Sequence, residues 1–215
     1  MRITSIEPQK KNPARRNIFA DGDFVAGVSA ETLLRFGLRV GDEIAPALIQ
    51  AIEKAEELVG AKGVALRFLT VRPRTEREIR DKLREKEFGD EEIAQTIASL
   101  KASGLLDDAA FARMYIRDAL AGRGAGKILL KKKLLLLGID KSTVDEALEE
   151  TFAGVDVQAA ALALARQFVK KTQNLKKDEP PQKRRNRVSS FLMRKGYGWD
   201  TIEAVLKQVF TDSEE

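Results

Sequence analysis

Residues 79–97, IRDKLREKEFGDEEIAQTI, carry apolar side chains at Ile79, Leu83, Phe88, Ile93 and Ile97, and the same spacing returns twice further along the chain. Residues 130–148, LKKKLLLLGIDKSTVDEAL, repeat it as Leu130, Leu134, Ile139, Val144 and Leu148, and residues 188–206, VSSFLMRKGYGWDTIEAVL, as Val188, Leu192, Tyr197, Ile202 and Leu206. Steps of four at either end keep each pair on one helical face, while the two central steps of five do not fit a continuous stripe, so each segment reads as two helices joined by a turn. The residue before the central apolar position is Glu87, Gly138 and Gly196. A glycine there suits a helix C-terminus, where a left-handed backbone costs least.

Working outward, each pair has an apolar helical run ahead of it: Leu66, Phe68 and Leu69, then Phe111, Met114, Tyr115 and Ile116, then Leu162, Leu164 and Phe168. Three copies of a three-helix unit follow, expected at 64–104, 105–153 and 154–215. The copies are offset by 51 and then 58 residues, and the extra seven fit the stretch from Thr172 to Pro181, where Pro180 and Pro181 preclude continuous helix. Thr75 and Glu78 stand at capping-box spacing, and Asp90 and Asp140 are expected to cap the last helices of their units. A unit of about fifty residues buries little apolar surface alone, so tandem copies are expected to stack into an elongated, curved, all-α rod.

Residues 1–63 form a separate extension with a different pattern. Asp21-Gly22 between the apolar runs Asn17–Ala20 and Phe24–Val28 predicts a β-hairpin. Ser29 is read as the cap of a short helix ended by Gly37, and Pro46 as the opening of a longer one that breaks or bends at Gly60 to Gly63.

Composition removes most enzyme chemistry. The 215 residues include no cysteine and no histidine, which excludes thiolate nucleophiles, disulfides, Cys/His zinc sites and histidine-based triads. Carboxylates remain, but Glu91-Glu92 and Glu149-Glu150 fall at capping or exposed helical positions, and Asp107 and Asp108 read as the start of a helix. Gly122–Lys127 resembles a phosphate loop only superficially: Ala121 stands where the first glycine belongs, and Ile128 where Ser or Thr belongs. No catalytic residue, cofactor or metal is expected. No stretch reaches the roughly 18 apolar residues of a membrane span, and a cytoplasmic protein is expected.

The net charge of +5 is unevenly placed: residues 154–215 hold twelve basic and eight acidic side chains, whereas the preceding units are nearly balanced. Between 166 and 195 the cations are Arg166, Lys170, Lys171, Lys176, Lys177, Lys183, Arg184, Arg185, Arg187, Arg194 and Lys195, against Asp178 and Glu179 alone. A polyanion or an acidic protein groove is the natural partner for such a block. A second candidate stripe places Arg123, Lys127 and Lys131 at helical spacing with Lys132 beside them, and a solvated face is its competing reading. Tyr197 shares a core position with Phe88 and Ile139; Trp199 is left open between stacking on bases and structure.

The order of these motifs resembles the RecX family, the bacterial regulators of RecA. It rests on Leu69-x-x-Arg72, Thr75-x-x-Glu78-Ile79 and Leu83; on Leu105-Leu106-Asp107-Asp108-x-x-Phe111-Ala112; on Gly126-Lys127-Ile128 leading to Leu137-Gly138-Ile139; and on Phe191-Leu192-x-Arg194-Lys195-Gly196-Tyr197 with Ile202. Glu87 departs from the pattern, where glycine is common. The resemblance implies a crescent of three-helix repeats lying in the groove of the RecA–DNA filament. It implies modulation, mostly inhibition, of RecA ATPase, filament assembly and strand exchange in recombination, repair and the SOS response. RecA is then the expected partner, with single- and double-stranded DNA as further ones, and the chain is expected to be a monomer with no catalysis of its own. A general nucleic-acid-binding helical protein is the alternative, carried by the basic block alone, and a carboxylate-based hydrolase is a third.

Overall fold

The computed structural model describes residues 1–173 and 180–211, without the side chains of Arg123, Gln173 and Thr211. The chain divides into two compact units, Met1–Pro73 with Ile79–Leu106, and Arg74–Glu78 with Asp107–Glu215. Lys176 and Lys177 lie outside the described residues.

In the first unit, β1 (Ile3–Pro8), β2 (Arg15–Ala20) and β3 (Asp23–Ser29) form an antiparallel sheet in that order. The expected hairpin joins β2 to β3 through Asp21 and Gly22, whose φ values of 51° and 95° are the left-handed pair such a turn requires. Ser29 caps α1 (Ala30–Phe36) by accepting from the Thr32 N–H at 3.1 Å, and Gly37 ends it at φ 62°. Ile3, Ile18, Val28, Ile44 and Ile52 fill the core beneath the sheet.

The longer helix, α2 (Pro46–Leu69), contradicts the expected break: its 24 residues run unbroken through Gly60 and Gly63. The cost of glycine within a helix, about 1 kcal/mol each, is offset by packing, since Ala61 and Ala65 are buried and a Cβ at Gly60 would lie 3.5 Å from the Phe88 ring. The C-terminal half of α2 therefore serves as first helix of the first repeat, completed by α3 (Glu76–Glu85) and α4 (Asp90–Ala102) around Ile79, Leu83, Ile93 and Ile97. The cap of α4 is Gly89 and not Asp90, which occupies the first turn. Glu92, next to it, is buried.

The second unit holds the other repeats, α5 (Asp108–Arg123), α6 (Lys127–Leu136) and α7 (Lys141–Phe152), then α8 (Val157–Gln173), α9 (Pro181–Arg194) and α10 (Trp199–Thr211). Each triplet has its own apolar cluster. The three copies are equivalent in detail: Leu83, Leu134 and Leu192 are each 0% exposed, and Ile79, Leu130 and Val188 are likewise buried. Their middle helices end in one and the same turn. The N–H groups of Glu87, Gly138 and Gly196 donate to the carbonyls of Arg84, Leu135 and Met193, and those of Phe88, Ile139 and Tyr197 to Leu83, Leu134 and Leu192. This paired bonding satisfies carbonyls that a helix end leaves open. It requires a positive φ, found at Gly138 (86°), Gly196 (85°) and even at Glu87 (63°).

Candidate polyanion interface

Within the second unit the repeats meet through these turns. The Thr75 hydroxyl, at the start of α3, donates to the Leu137 carbonyl at 2.9 Å, while also closing the expected capping box with Glu78. The Glu76 N–H donates to Asp108 at 2.9 Å, so Asp108 bridges two repeats while Asp107 caps α5. One repeat later the start of α6 does the same thing with backbone alone: Gly126 and Ile128 donate to the carbonyls of Lys195 and Gly196 at 2.8 and 3.1 Å. Gly126 is thus the cap of α6 and Gly124 the left-handed end of α5, which gives the glycine-rich loop a structural role. Tyr197, buried as expected, anchors its hydroxyl on the Gly124 carbonyl at 3.2 Å.

The two cation groups behave differently. Arg123 is the last residue of α5, and its side chain is not described. Lys127 is exposed with its ammonium 5.0 Å from the Phe152 ring centre, and Lys131 pairs with Asp145 at 2.5 Å, so both are engaged with α7 of their own repeat. A half-exposed pair of that kind is worth about 0–1 kcal/mol. Lys132 stands out into solvent. Lys133 and Lys195 flank a cleft of about 320 Å³ whose other walls include Tyr115, Asp118 and Leu129.

In the third repeat, Lys170 and Lys171 are exposed on the last turn of α8, and Lys183 on the first turn of α9, with Arg184 and Arg185 half-buried beside it. Arg187 is turned inward: its Nη2 donates to the Thr172 hydroxyl at 3.3 Å, tying α9 to α8. Arg194 is exposed, and Lys195 is half-buried with its ammonium 5.8 Å from the Phe191 ring centre.

The helix starts differ in charge. Glu76, Asp90, Asp108 and Asp200 stand in the first turns of α3, α4, α5 and α10, where a carboxylate meets the positive end of the helix. α7 opens on Lys141 without a first-turn acid, but the Asp140 carboxylate caps that helix; in α6 and α9 the first turn likewise has no acid, and Lys127 and Lys183 occupy it. A cation there forgoes roughly 0.3–1 kcal/mol of helix-end stabilisation and adds a repulsion, which an anionic ligand would reverse. Among the described residues no group of three or more acids is placed to hold a metal, and no helix is long and apolar enough to cross a membrane.

Sequence reasoning singled out cations, left Trp199 open between base stacking and structure, and passed over Ile128 and Met193. Ile128, Met193 and Trp199 are 61%, 51% and 60% exposed, although Ile128 and Met193 sit in helices that read as core-forming. The signal was present, because in each repeat their positions fall off the recurring buried set.

A small sheet followed by three tandem three-helix repeats, with cationic starts to two of the middle helices, defines a helical-repeat protein. Family signatures match in the same order: the regulatory protein RecX N-terminal domain over residues 1–45, and the first, second and third three-helix domains of RecX over 61–100, 107–148 and 156–206. The chain belongs to the RecX family of regulatory proteins. It is 32% identical over 211 residues to the regulatory protein RecX of Clostridium botulinum (strain Alaska E43 / Type E3), covering 96% of this chain and 95% of that one. It is 33% identical to that of Bacillus subtilis (strain 168) over 99% of this chain and 79% of the relative. Among solved structures, a crystal structure of regulatory protein RecX superposes with a TM-score of 0.79 at 29% identity, covering 95% of this chain and 98% of that one. RecX from Lactobacillus salivarius, 24% identical, shares the fold with a TM-score of 0.63 over 73% of this chain and 99% of that one.

Proposed function

We propose that this chain binds the RecA–DNA filament along its groove and restrains it, lowering ATP hydrolysis, filament growth and strand exchange. In this reading it works as a cytoplasmic monomer without chemistry of its own, and the three repeats span 64–104, 105–153 and 154–215. The carrying observation is the placement of cations at the positive ends of α6 and α9, where a folding-only sequence would favour acids. Lys170, Lys171, Lys183, Arg184, Arg185 and Arg194 face the anionic partner, with arginine suited to paired bonds to carboxylate or phosphate. Lys127, Lys131, Arg187 and Lys195 contribute charge while also fastening their own repeats.

The test is RecA ATPase and strand exchange with stoichiometric protein. Both are expected to fall, and unaltered rates would overturn the reading. A second reading, general binding of single- or double-stranded DNA, is favoured by the same cations taken alone. Equal affinity for bare and RecA-coated single-stranded DNA would select it.

A further inference from the structure

The repeats provide their own control for what folding requires. At the junction of the first and second repeats, the positions beside the Gly138 turn are filled by Arg77, Leu135 and Lys141; at the junction of the second and third, the equivalent positions beside the Gly196 turn hold Ile128, Met193 and Trp199. The turn itself is the same in both, although the first junction is closed by the Thr75 hydroxyl on the Leu137 carbonyl and the second by backbone N–H groups. Ile128 donates its N–H to the Gly196 carbonyl, Gly196 donates its own to the Met193 carbonyl at 2.9 Å, and Trp199 opens α10 three residues on. Arginine and lysine satisfy the first junction at the places of Ile128 and Trp199, so exposed apolar side chains there are not demanded by the fold; at the place of Met193 the first junction also has an exposed apolar residue, Leu135.

We propose that Ile128, Met193 and Trp199 form a docking surface for a protein partner that presents an apolar side chain within an acidic surround. The acidic surround follows from charge: residues 119–139 and 180–199 contain no aspartate or glutamate and Lys132 and Arg194 stand exposed on the same two helices, the flanking acids being Asp118 and the exposed Asp200. Exposed apolar patches mark binding sites, and tryptophan is among the residues enriched at the energetic centres of protein interfaces. A nucleic-acid strand is the poorer fit. Base stacking uses successive aromatic faces, and two of the three side chains here are aliphatic.

The assignment rests on the RecA reading, since it identifies which part of the surface meets protein. Trp199→Lys and Ile128→Arg copy the residues of the first junction, so both variants are expected to keep full helicity by circular dichroism. Each is expected to bind RecA-coated single-stranded DNA about 30-fold more weakly, the scale of a hot-spot residue, with affinity for a bare oligonucleotide not reduced, since each adds a cation. Trp199 is the sole tryptophan, so its emission reports directly on bare oligonucleotide. Undiminished binding of both variants to coated DNA overturns the assignment alone. Quenching of Trp199 by bare oligonucleotide, with equal loss on both substrates, overturns it in favour of a stacking platform. Loss of helicity overturns the premise that the junctions are equivalent. If the unaltered chain fails to bind coated DNA, the RecA reading falls first and takes this assignment with it.

Discussion

The carbonyl oxygen of Gly196 lies 2.3 Å from where a Cβ on Gly126 would stand. No side chain fits between these backbones, and the hydrogen bonds from Gly126 and Ile128 depend on that approach. Gly126→Ala is therefore expected to destabilise the second unit by roughly 1–3 kcal/mol, as overpacking does. Urea unfolding checks it, and a midpoint unchanged from the parent would show that the junction yields freely.

Glu87 adopts φ 63° at the position where the other repeats have glycine. A left-handed conformation costs a residue with a Cβ about 1–2 kcal/mol, and glycine's added freedom when unfolded returns part of that. Glu87→Gly is expected to stabilise the first unit by about 0.5–1 kcal/mol, measured as a higher unfolding midpoint. A lower midpoint would mean that the glutamate side chain contributes more than its backbone costs.

Leu83, Leu134 and Leu192 are equally buried at the same place in three repeats. Truncation of any one to alanine is expected to cost about 2–5 kcal/mol. Denaturation of the three variants checks both the size of the loss and its similarity across copies; a mild effect at Leu134 alone would mark the second repeat as able to collapse around the cavity.

Glu56 fastens α2 to the sheet, accepting from the Ser29 N–H and pairing with Arg15, each at 2.7 Å, with its side chain 12% exposed. Burial pushes its pKa up, but the bonds from Ser29 and Thr32 and the charge of Arg15 outweigh it and leave the carboxyl below its ordinary value. A depressed carboxyl contributes stability above the unfolded pKa, near 4.3, and loses it as pH falls through the folded value. Protection of β2 and β3 against hydrogen exchange, taken relative to the intrinsic rate at each pH, is expected to fall on acidification below the unfolded value. In Glu56→Gln the exchange is expected to be faster at neutral pH and less sensitive to acid; the same acid sensitivity in that variant would place the titrating group elsewhere.

Lys183 and Arg185 stand at the start of α9, whereas Arg187 bonds to Thr172. Charge reversal at Lys183 and Arg185 together is expected to weaken binding to DNA-containing filaments and flatten its salt dependence, without loss of helicity. Arg187→Glu is expected to lower thermal stability as well. Binding at physiological salt that survives the double reversal would remove α9 from the interface.

The repeat and its core were legible because burial follows local rules: helical spacing, a turn residue and a cap are each written within a few positions, and every copy tests the others. Asp21-Gly22, Ser29 and the Thr75–Glu78 box were readable for the same reason. What packing decides was not readable. Gly60 and Gly63 stay helical within α2, where Phe88 closes on Gly60 and Ala61 and Ala65 are buried, β1 pairs with the outer edge of the hairpin, and Arg187 and Lys131 turn to partners on other helices. Spacing alone assigns an apolar residue to a helix face, but whether that face meets another helix or water depends on which elements come together. That is why Ile128, Met193 and Trp199 emerge as exposed only once the helices are assembled.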